Sequence, residues 1–273
     1  MRRLARCRSA VTMSVALWVA AVALTTGAPP ATAAGPVRVL QFNICGAMCN
    51  AGVIGKVGAG KDIVDVVRSR IVGFKPQIVT LNEVCAGQYN RLRSVLGGGP
   101  WGMRGAFRAQ RNDPRCQGGN GFGDAVFTAA GINGQRVLPL PNPPGGPEHR
   151  AVLCLDTSVG GGPVLACVLH TVTDDPMKSS QVAAAARAAN AAAGRGAVIL
   201  GGDFNLTPSG MGALLDPGKG GRFFDADPER APTRGQKIDY VLFDRGHFTN
   251  PSGGPQGSPF SDHAALLGRA NRL

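Results

Sequence analysis

The run Ala197-Val198-Ile199-Leu200-Gly201-Gly202-Asp203-Phe204-Asn205-Leu206-Thr207-Pro208 constrains the fold more than any other stretch of this chain. Four apolar residues followed by two glycines read as a buried strand that ends at a tight exit. Asp203 and Asn205 stand two apart beyond it. Along an extended chain that spacing turns both side chains to one face and sends Phe204 to the core. A carboxylate beside a carboxamide at a strand end suits a metal ion or a held water. Taken singly, the same string also serves as a turn closed by Asx hydrogen bonds.

The pattern of an apolar strand ending in a polar residue recurs along the chain. Val37–Ile44 alternates around apolar positions and delivers Asn43 near its end. Ile63, Val66, Val67 and Ile71 recur at helical spacing behind Asp62, a candidate N-cap, with Gly73 and Pro76 closing the helix. Ile78–Leu81 is the next strand, and Glu83 follows at its exit. Gly123–Phe127 carries Asp124. Ala151–Leu155, opened by Arg150, and Val164–Leu169, ending at His170, flank three glycines as a hairpin. Ser179–Ala193 is an alanine-rich helix. Lys237–Phe243 carries Asp239, and Ser261-Asp262-His263 opens the last strand. Strands alternating with helices predict an α/β fold. The Pro-rich stretch Pro141–Pro147 excludes regular structure. Gly97–Gly121, with Arg104, Arg108, Arg111 and Arg115, reads as a weakly structured basic insertion held by Cys116. His149 and His247 are read as surface residues.

The N-terminus sets the compartment. A basic head with Arg2, Arg3, Arg6 and Arg8 precedes an apolar stretch over Ser9–Gly27, and Ala31-Thr32-Ala33 supplies a small-x-small cleavage site. Residues 1–34 read as a secretory signal peptide, with a membrane anchor as the alternative, and 35–273 as one domain. Loss of the four arginines takes the net charge from +12 to +8, which favours a polyanionic partner and is also compatible with ordinary solubility. Of the 7 cysteines, Cys7 leaves with the signal. The even remainder in an exported chain reads as disulfides: Cys45–Cys49 across a short loop, Cys154–Cys167 across neighbouring strands, and Cys85–Cys116 by elimination. Zinc spacing is missing.

Collected, the residues at strand ends are Asn43, Glu83, His170, Asp203, Asn205, Asp239, Asp262 and His263. Individually each is a plausible turn or capping residue; together they place the chain's scarce acids where apolar strands stop. The stretches Gln41-Phe42-Asn43-Ile44, Leu81-Asn82-Glu83-Val84, Leu169-His170-Thr171-Val172-Thr173-Asp174, Gly202-Asp203-Phe204-Asn205, Ile238-Asp239-Tyr240-Val241 and Ser261-Asp262-His263, in this order, closely resemble the endonuclease/exonuclease/phosphatase superfamily of metal-dependent phosphoesterases, which includes the pancreatic-type deoxyribonucleases. The resemblance implies a four-layer α-β-β-α sandwich, two packed mixed sheets flanked by helices, with the site at one end of the sheets.

It also implies roles. Glu83 would ligate a divalent cation with help from Asp262 and Asn43; Mg2+ is the expected ion, with Mn2+ or Ca2+ as alternatives. Asp203 and Asn205 would position or activate the attacking water. His263, oriented by Asp239, resembles the base-side imidazole, while the sequence leaves open which histidine is acid and which base. His170, oriented by Asp124, would protonate the leaving oxygen or hold the phosphate, which Arg150 would clamp. Asn82 stands where many relatives carry Gln. The reading is a secreted, monomeric phosphodiesterase acting on nucleic acid, DNA before RNA. A sphingomyelinase-type phospholipase or phosphoinositide phosphatase working at a lipid surface, with Trp101 and Phe107 as the contacting aromatics, is the alternative on the same site. A catalytically silent binding module is the third reading, and the intact residue set argues against it.

Overall fold

The computed structural model describes residues 35–49, 62–174, 176–228 and 235–273; the expected signal peptide lies outside the described residues. Elements follow in the order β1 (Val37–Asn43), α1 (Ile63–Phe74), β2 (Ile78–Cys85), α2 (Ala86–Gly97), β3 (Arg104–Asn112), β4 (Gly121–Thr128), β5 (Gly134–Pro139), β6 (Ala151–Val159), β7 (Gly162–His170), α3 (Met177–Ala193), β8 (Ala197–Asp203), α4 (Gly212–Leu215), β9 (Phe223–Asp225), β10 (Asp239–Asp244), β11 (Phe248–Gln256) and β12 (Ala265–Arg272). They form two six-stranded sheets, ordered β11-β12-β1-β2-β4-β3 and β5-β6-β7-β8-β10-β9. β1 and β2 pair in parallel, as do β7 and β8, and the remaining pairs are antiparallel. Each parallel pair is joined through a helix, α1 or α3, as a parallel crossover requires.

Side-chain alternation separates three apolar layers. Val39, Ile78, Val126, Leu155, Val168, Ile199 and Val241 fill the space between the sheets. Leu40, Phe42, Val79 and Leu81 face the other way and pack on α1 and α2. Leu169, Val198, Leu200 and Leu242 do the same against α3. The result is the expected four-layer sandwich: helices, sheet, sheet, helices.

Asp62 caps α1, accepting from Asp65 N at 2.9 Å, as the sequence predicts. Gly73 does not end the helix. Burial of Ile63, Val64, Val66, Val67 and Ile71, at roughly 1.5–3 kcal/mol each, outweighs the roughly 0.5–1 kcal/mol cost of an internal glycine. The helix runs to Phe74 and closes at Lys75, whose φ of 53° allows its N–H to reach Ile71 O at 2.7 Å.

The basic stretch is corrected too. It is not a weakly structured insertion: β3 pairs with β4 from Arg104 to Asn112, preceded by the end of α2. β3 is an edge strand, so most of its side chains meet solvent and its sequence carries no apolar alternation. β5, β9 and β11 are the other edges and were equally silent.

All three expected disulfides are present: Cys45–Cys49, Cys85–Cys116 and Cys154–Cys167. The last joins directly opposed residues of β6 and β7 on the face toward α3. Its sequence separation is 13 residues, so the Cys154→Ala/Cys167→Ala double variant is expected to lose about 3 kcal/mol of stability. Denaturant unfolding checks the loss.

Candidate active site

The inner face that is apolar along most of the sandwich turns polar at one end. The parity that points Val39 inward also points Gln41 and Asn43 inward. The same holds for Thr80 and Asn82 on β2, Asp124 on β4, His170 on β7, Asp203 on β8 and Asp239 on β10. Gly201 makes room for this: a Cβ there would lie 2.2 Å from Thr80 Oγ1 across the interface. Thr80 Oγ1 donates to Gln41 Oε1 at 2.6 Å. Gln41 Nε2 donates to Asn82 Oδ1 at 2.7 Å, and Asp203 N donates to the same oxygen at 2.9 Å. Asn82 Nδ2 donates to Asp124 Oδ1 at 2.9 Å and to Leu169 O at 3.0 Å.

Three site residues reach their places through left-handed backbone: Cys45 (φ 51°), Glu83 (φ 59°) and Asn205 (φ 50°). Such residues cost about 1–3 kcal/mol each and persist where the surroundings hold them. Glu83 sits in the irregularity of β2 between Leu81 and Val84, which lets Asn82 face the interface while Glu83 leaves toward the open end. Asn205 corrects the expectation of an extended chain. The strand stops at Asp203, and Asn205 turns so that its N–H donates to Asp203 Oδ1 at 3.0 Å and its Nδ2 to Thr171 O at 3.0 Å. Phe204 is fully buried, as expected.

Asp203 Oδ2 is the meeting point. It accepts from Asn43 Nδ2 at 3.1 Å and lies 3.6 Å from His170 Nε2 and 3.7 Å from His263 Nε2. His263 Nδ1 is 2.7 Å from Asp239 Oδ2, which fixes the ring and leaves Nε2 toward Asp203. His170 Nδ1 is buried without a hydrogen-bond partner and lies 3.9 Å from Asp124 Oδ1. Asp124 therefore faces His170 without bonding to it. Asn82 and Gln110, the latter through a short contact from β3, hold the Asp124 carboxylate. Asn43 Nδ2 also donates to Glu83 Oε1 at 3.0 Å, while its Oδ1 accepts from Cys45 N at 3.0 Å. The amide nitrogen, not the oxygen, faces the acids. In this arrangement Asn43 bridges Glu83 and Asp203.

Burial dominates the electrostatics. It raises Asp203 to about 7, with repulsion from Asp239 adding to the shift, and it raises Asp124 to about 7. It also raises Glu83 above the ordinary carboxylate range, against the hydrogen bond from Asn43. Burial holds His170 well below an ordinary imidazole, and the charges of Arg150, His263 and Arg111 push the same way. Burial alone would lower His263 as well. There the hydrogen bond and charge of Asp239, with Asp203 and Asp262, prevail and raise it to about 9. The two imidazoles are thus held in opposite protonation states near neutrality, an arrangement that separates their roles.

Among the described residues, Asp203, Asp239 and His263 bring ligand atoms within 4.8 Å of one another, as do Cys45, Cys49 and Asp262. The cysteines of the second group are spent in a disulfide. What remains at this end is Asp262, beside Cys49 Sγ at 3.6 Å, and Glu83, whose titration feels the charge of Asp262. Two carboxylates supply oxygen donors only, which fits a hard divalent cation.

Arg150 is 7% exposed; it pairs with Glu148, and its Nε and Nη1 are buried without hydrogen-bond partners. Arg111 and Arg115 complete a basic rim, both paired to Asp113 Oδ2, at 2.8 and 2.6 Å. His149 is exposed, and His247 pairs with Asp244 at 3.0 Å, on the strand end away from the site. Sequence reasoning missed Gln41, Thr80, Gln110 and Glu148, and read Asn82 only as a replacement for glutamine. The inner-face parity of β1 and β2 would have singled out Gln41, Thr80 and Asn82.

The family model described as Endonuclease/Exonuclease/phosphatase family matches residues 40–263, and the chain belongs to that family. An endonuclease/exonuclease/phosphatase from Beutenbergia cavernae DSM 12333 superposes with a TM-score of 0.68 at 21% identity, covering 87% of this chain and 72% of that one. The human Nocturnin catalytic domain with bound sulfate anion gives 0.66 at 20%, covering 87% and 95%. D. rerio TDP2 complexed with single strand DNA product gives 0.60 at 12%, covering 87% and 99%. At these identities the likeness establishes the fold. Comparison with curated proteins gives no match. The superfamily consists of metal-dependent hydrolases, and this chain has its phosphoesterase fold.

Two predictions follow from the geometry. Asp239→Asn removes the charge that orients His263 and favours its protonated form, so kcat is expected to fall by roughly 10²–10⁴, and loss of the buried pair is expected to lower the melting temperature at pH 7. Arg115, through its side-chain hydrogen bond, lowers Asp113 to about 2. A depressed carboxylate stabilises the folded chain above its unfolded pKa, and that contribution is lost as pH falls from about 4 to about 2. With Arg115 42% exposed, the contribution is discounted to about 1 kcal/mol. Asp113→Asn should therefore destabilise the protein at pH 7 and change little at pH 2, checked by unfolding across pH.

Proposed function

We propose that this protein is an exported, divalent-metal-dependent phosphodiesterase that hydrolyses nucleic acid, DNA in the first place. The observation that carries the reading is the convergence on Asp203 Oδ2 of Asn43 and of the Nε2 atoms of both His170 and His263. A carboxyl raised to about 7 is matched to taking a proton from water at neutral pH. Asp203 accepts that proton as the water oxygen attacks phosphorus and the bond to the leaving oxygen breaks. His263, held as an imidazolium by Asp239, gives its Nε2 proton to the leaving oxygen as that bond breaks. His170 stays neutral and donates a hydrogen bond to a phosphoryl oxygen, the holding role among the two expected of it. Arg150 offers its guanidinium group to the same anion. Asn205 keeps the Asp203 carboxylate turned to the water through its backbone N–H.

Glu83 and Asp262 are the carboxylates that would hold the cation, Mg2+ by the hardness of the donors. When bound, it would supply Lewis-acid stabilisation of phosphoryl charge. The substrate reading draws support from the basic rim and from TDP2, which was solved with a single-strand DNA product. The aromatic residues available to a lipid surface are engaged. Arg68 lies 5.5 Å over the Trp101 ring, and Phe107 stacks on Tyr89 at 5.3 Å.

The purified chain from residue 35 onward is expected to nick supercoiled plasmid with Mg2+, to stop in chelator, and to leave sphingomyelin intact. His170→Ala should lower the rate by roughly 10²-fold or more. The rate on DNA should fall steeply between about 50 and 200 mM salt, as phosphate contacts require. Cleavage of lipid alone, or a flat salt response, would refute the nuclease reading.

A further inference from the structure

The rim of the site holds an anion of its own. Glu148 Oε2 pairs with Arg150 Nη2, and Glu148 Oε1 lies 3.2 Å from Arg111 Nε. One carboxylate thus spans two guanidinium groups by ion pairing, with Arg111 Nε left without a hydrogen bond. The cations beneath it are fixed. Arg150 is 7% exposed, and its backbone is locked on both sides, with N donating to Asn142 Oδ1 at 2.7 Å and O accepting from Asn142 Nδ2 at 3.1 Å. Arg111 is held from its far end by Asp113 and lies 4.6 Å over the Phe122 ring. The residue after Glu148 is pinned to β3, with His149 N donating to Gln110 O and Arg108 Nη1 donating to His149 O, both at 2.8 Å. Glu148 itself ends a proline-rich loop and, at 18% against 7%, is the more exposed partner of the pair. The seat adjoins the centre: Gln110, whose carbonyl accepts from His149 N, holds the Asp124 carboxylate that lies 3.9 Å from His170 Nδ1, and the charges of Arg150 and Arg111 act on that histidine.

We propose that Glu148 is a resident competitor for the phosphate seat. Its carboxylate occupies, in the free protein, the Arg150–Arg111 fork that receives a substrate phosphate, and substrate binding displaces it. The inference rests on the reading of Arg150 as the phosphate clamp. Its consequence is selectivity. A lone phosphate must displace Glu148 with no other attachment, whereas a polymer with phosphates on either side brings further contacts to the rim. The device favours polyphosphodiester substrates over inorganic phosphate and small monoesters or diesters.

The test measures inorganic phosphate binding by calorimetry, in chelator, to the chain from residue 35 onward and to its Glu148→Gln, Glu148→Ala and Arg150→Met variants. Steady-state kinetics on bis(4-nitrophenyl) phosphate and on long DNA, with Mg2+, accompany it. Both Glu148 variants are expected to bind phosphate about tenfold tighter, the scale of removing one partly exposed competing carboxylate. KM for the small diester should fall by a similar factor, and KM for DNA by much less, so that the preference for polymer narrows. Unchanged or weaker phosphate binding in the Glu148 variants, whether or not their melting temperature drops, would show that Glu148 merely props the arginines and would overturn the proposal. Wild-type phosphate affinity in Arg150→Met would instead remove the clamp on which the proposal stands. Loss of phosphate binding in that variant, with tighter binding in the other two, supports both.

Discussion

The side-chain amide of Asn82 is the joint on which the rest of this structure turns. It is fully buried and uses both donors and its oxygen. It accepts from Gln41 and from the backbone of Asp203, and donates to Asp124 and to the carbonyl of Leu169, the residue before His170. Four strands from two sheets meet on one planar group, and each bond sets the position of a residue at the site or its neighbour. A buried amide that loses its partners costs about 1–3 kcal/mol per orphaned group, so the network is stable only when complete. That cost excludes sliding of one sheet over the other. The apolar layer behind it, which is non-directional, supplies cohesion without fixing register. The polar end supplies the register, and Gly201 supplies the space in which Thr80 and Gln41 reach it.

The same division explains what could be read from the sequence. Each of the eight strands visible as apolar runs, β1, β2, β4, β6, β7, β8, β10 and β12, lies inside a sheet, and each of the four that were not, β3, β5, β9 and β11, is an edge. An interior strand of a four-layer sandwich is covered on both faces over most of its length and is largely apolar there, β12 with its exposed Arg269 and Asn271 being the least so. An edge strand shares its pairing with solvent and carries polar residues, prolines and glycines, as Phe248–Gln256 does. The arginines over 104–115 looked like a loop for that reason. The residues brought together by the site were legible because they stand where apolar runs stop. Gln41 and Thr80 were not, because they lie within those runs and only three-dimensional parity distinguishes them. Gln110 was hidden further, since it turns inward at an irregularity between Ala109 and Arg111. Asn205 was found as a residue, but its left-handed backbone was not, because alternation assumes that the strand continues.

Electrostatically, the site is a small volume in which acids outnumber the cations that could neutralise them. Asp203, Asp239, Asp124 and Glu83 share the end of the sandwich with two imidazoles, of which His263 carries charge and His170 does not. The difference does not come from burial, which lowers both. It comes from the hydrogen-bonded carboxylate that His263 has and His170 lacks, and from the arginines that surround His170. A neutral imidazole among guanidinium groups is a hydrogen-bond donor to an anion. An imidazolium between two carboxylates is a reservoir of charge. The residues of the rim and those of the centre are therefore one electrostatic system, in which the basic side prepares for phosphate and the acidic side for water and cation.

That arrangement has a mechanical cost, and the disulfides address it. The irregularity of β2 and the loops beyond β1 and β8 must carry Glu83, Cys45 and Asn205 in left-handed backbone while facing a polar cleft, where little apolar burial is available to hold them. Cys45–Cys49 closes the turn that follows Asn43 and rests against Asp262. Cys85–Cys116 ties the residue two beyond Glu83 to the turn that carries Asp113 and Arg115, and packs with Ala47 and Phe122 in a satellite cluster of its own. Two of the three covalent links thus stand at the end where the inner apolar layer gives out. A disulfide restrains chiefly by limiting the unfolded ensemble, and it does so without needing a hydrophobic surface. At this end of the molecule it takes over from packing, so that a site built from buried charge and strained backbone can sit at the mouth of a sandwich whose own cohesion lies elsewhere.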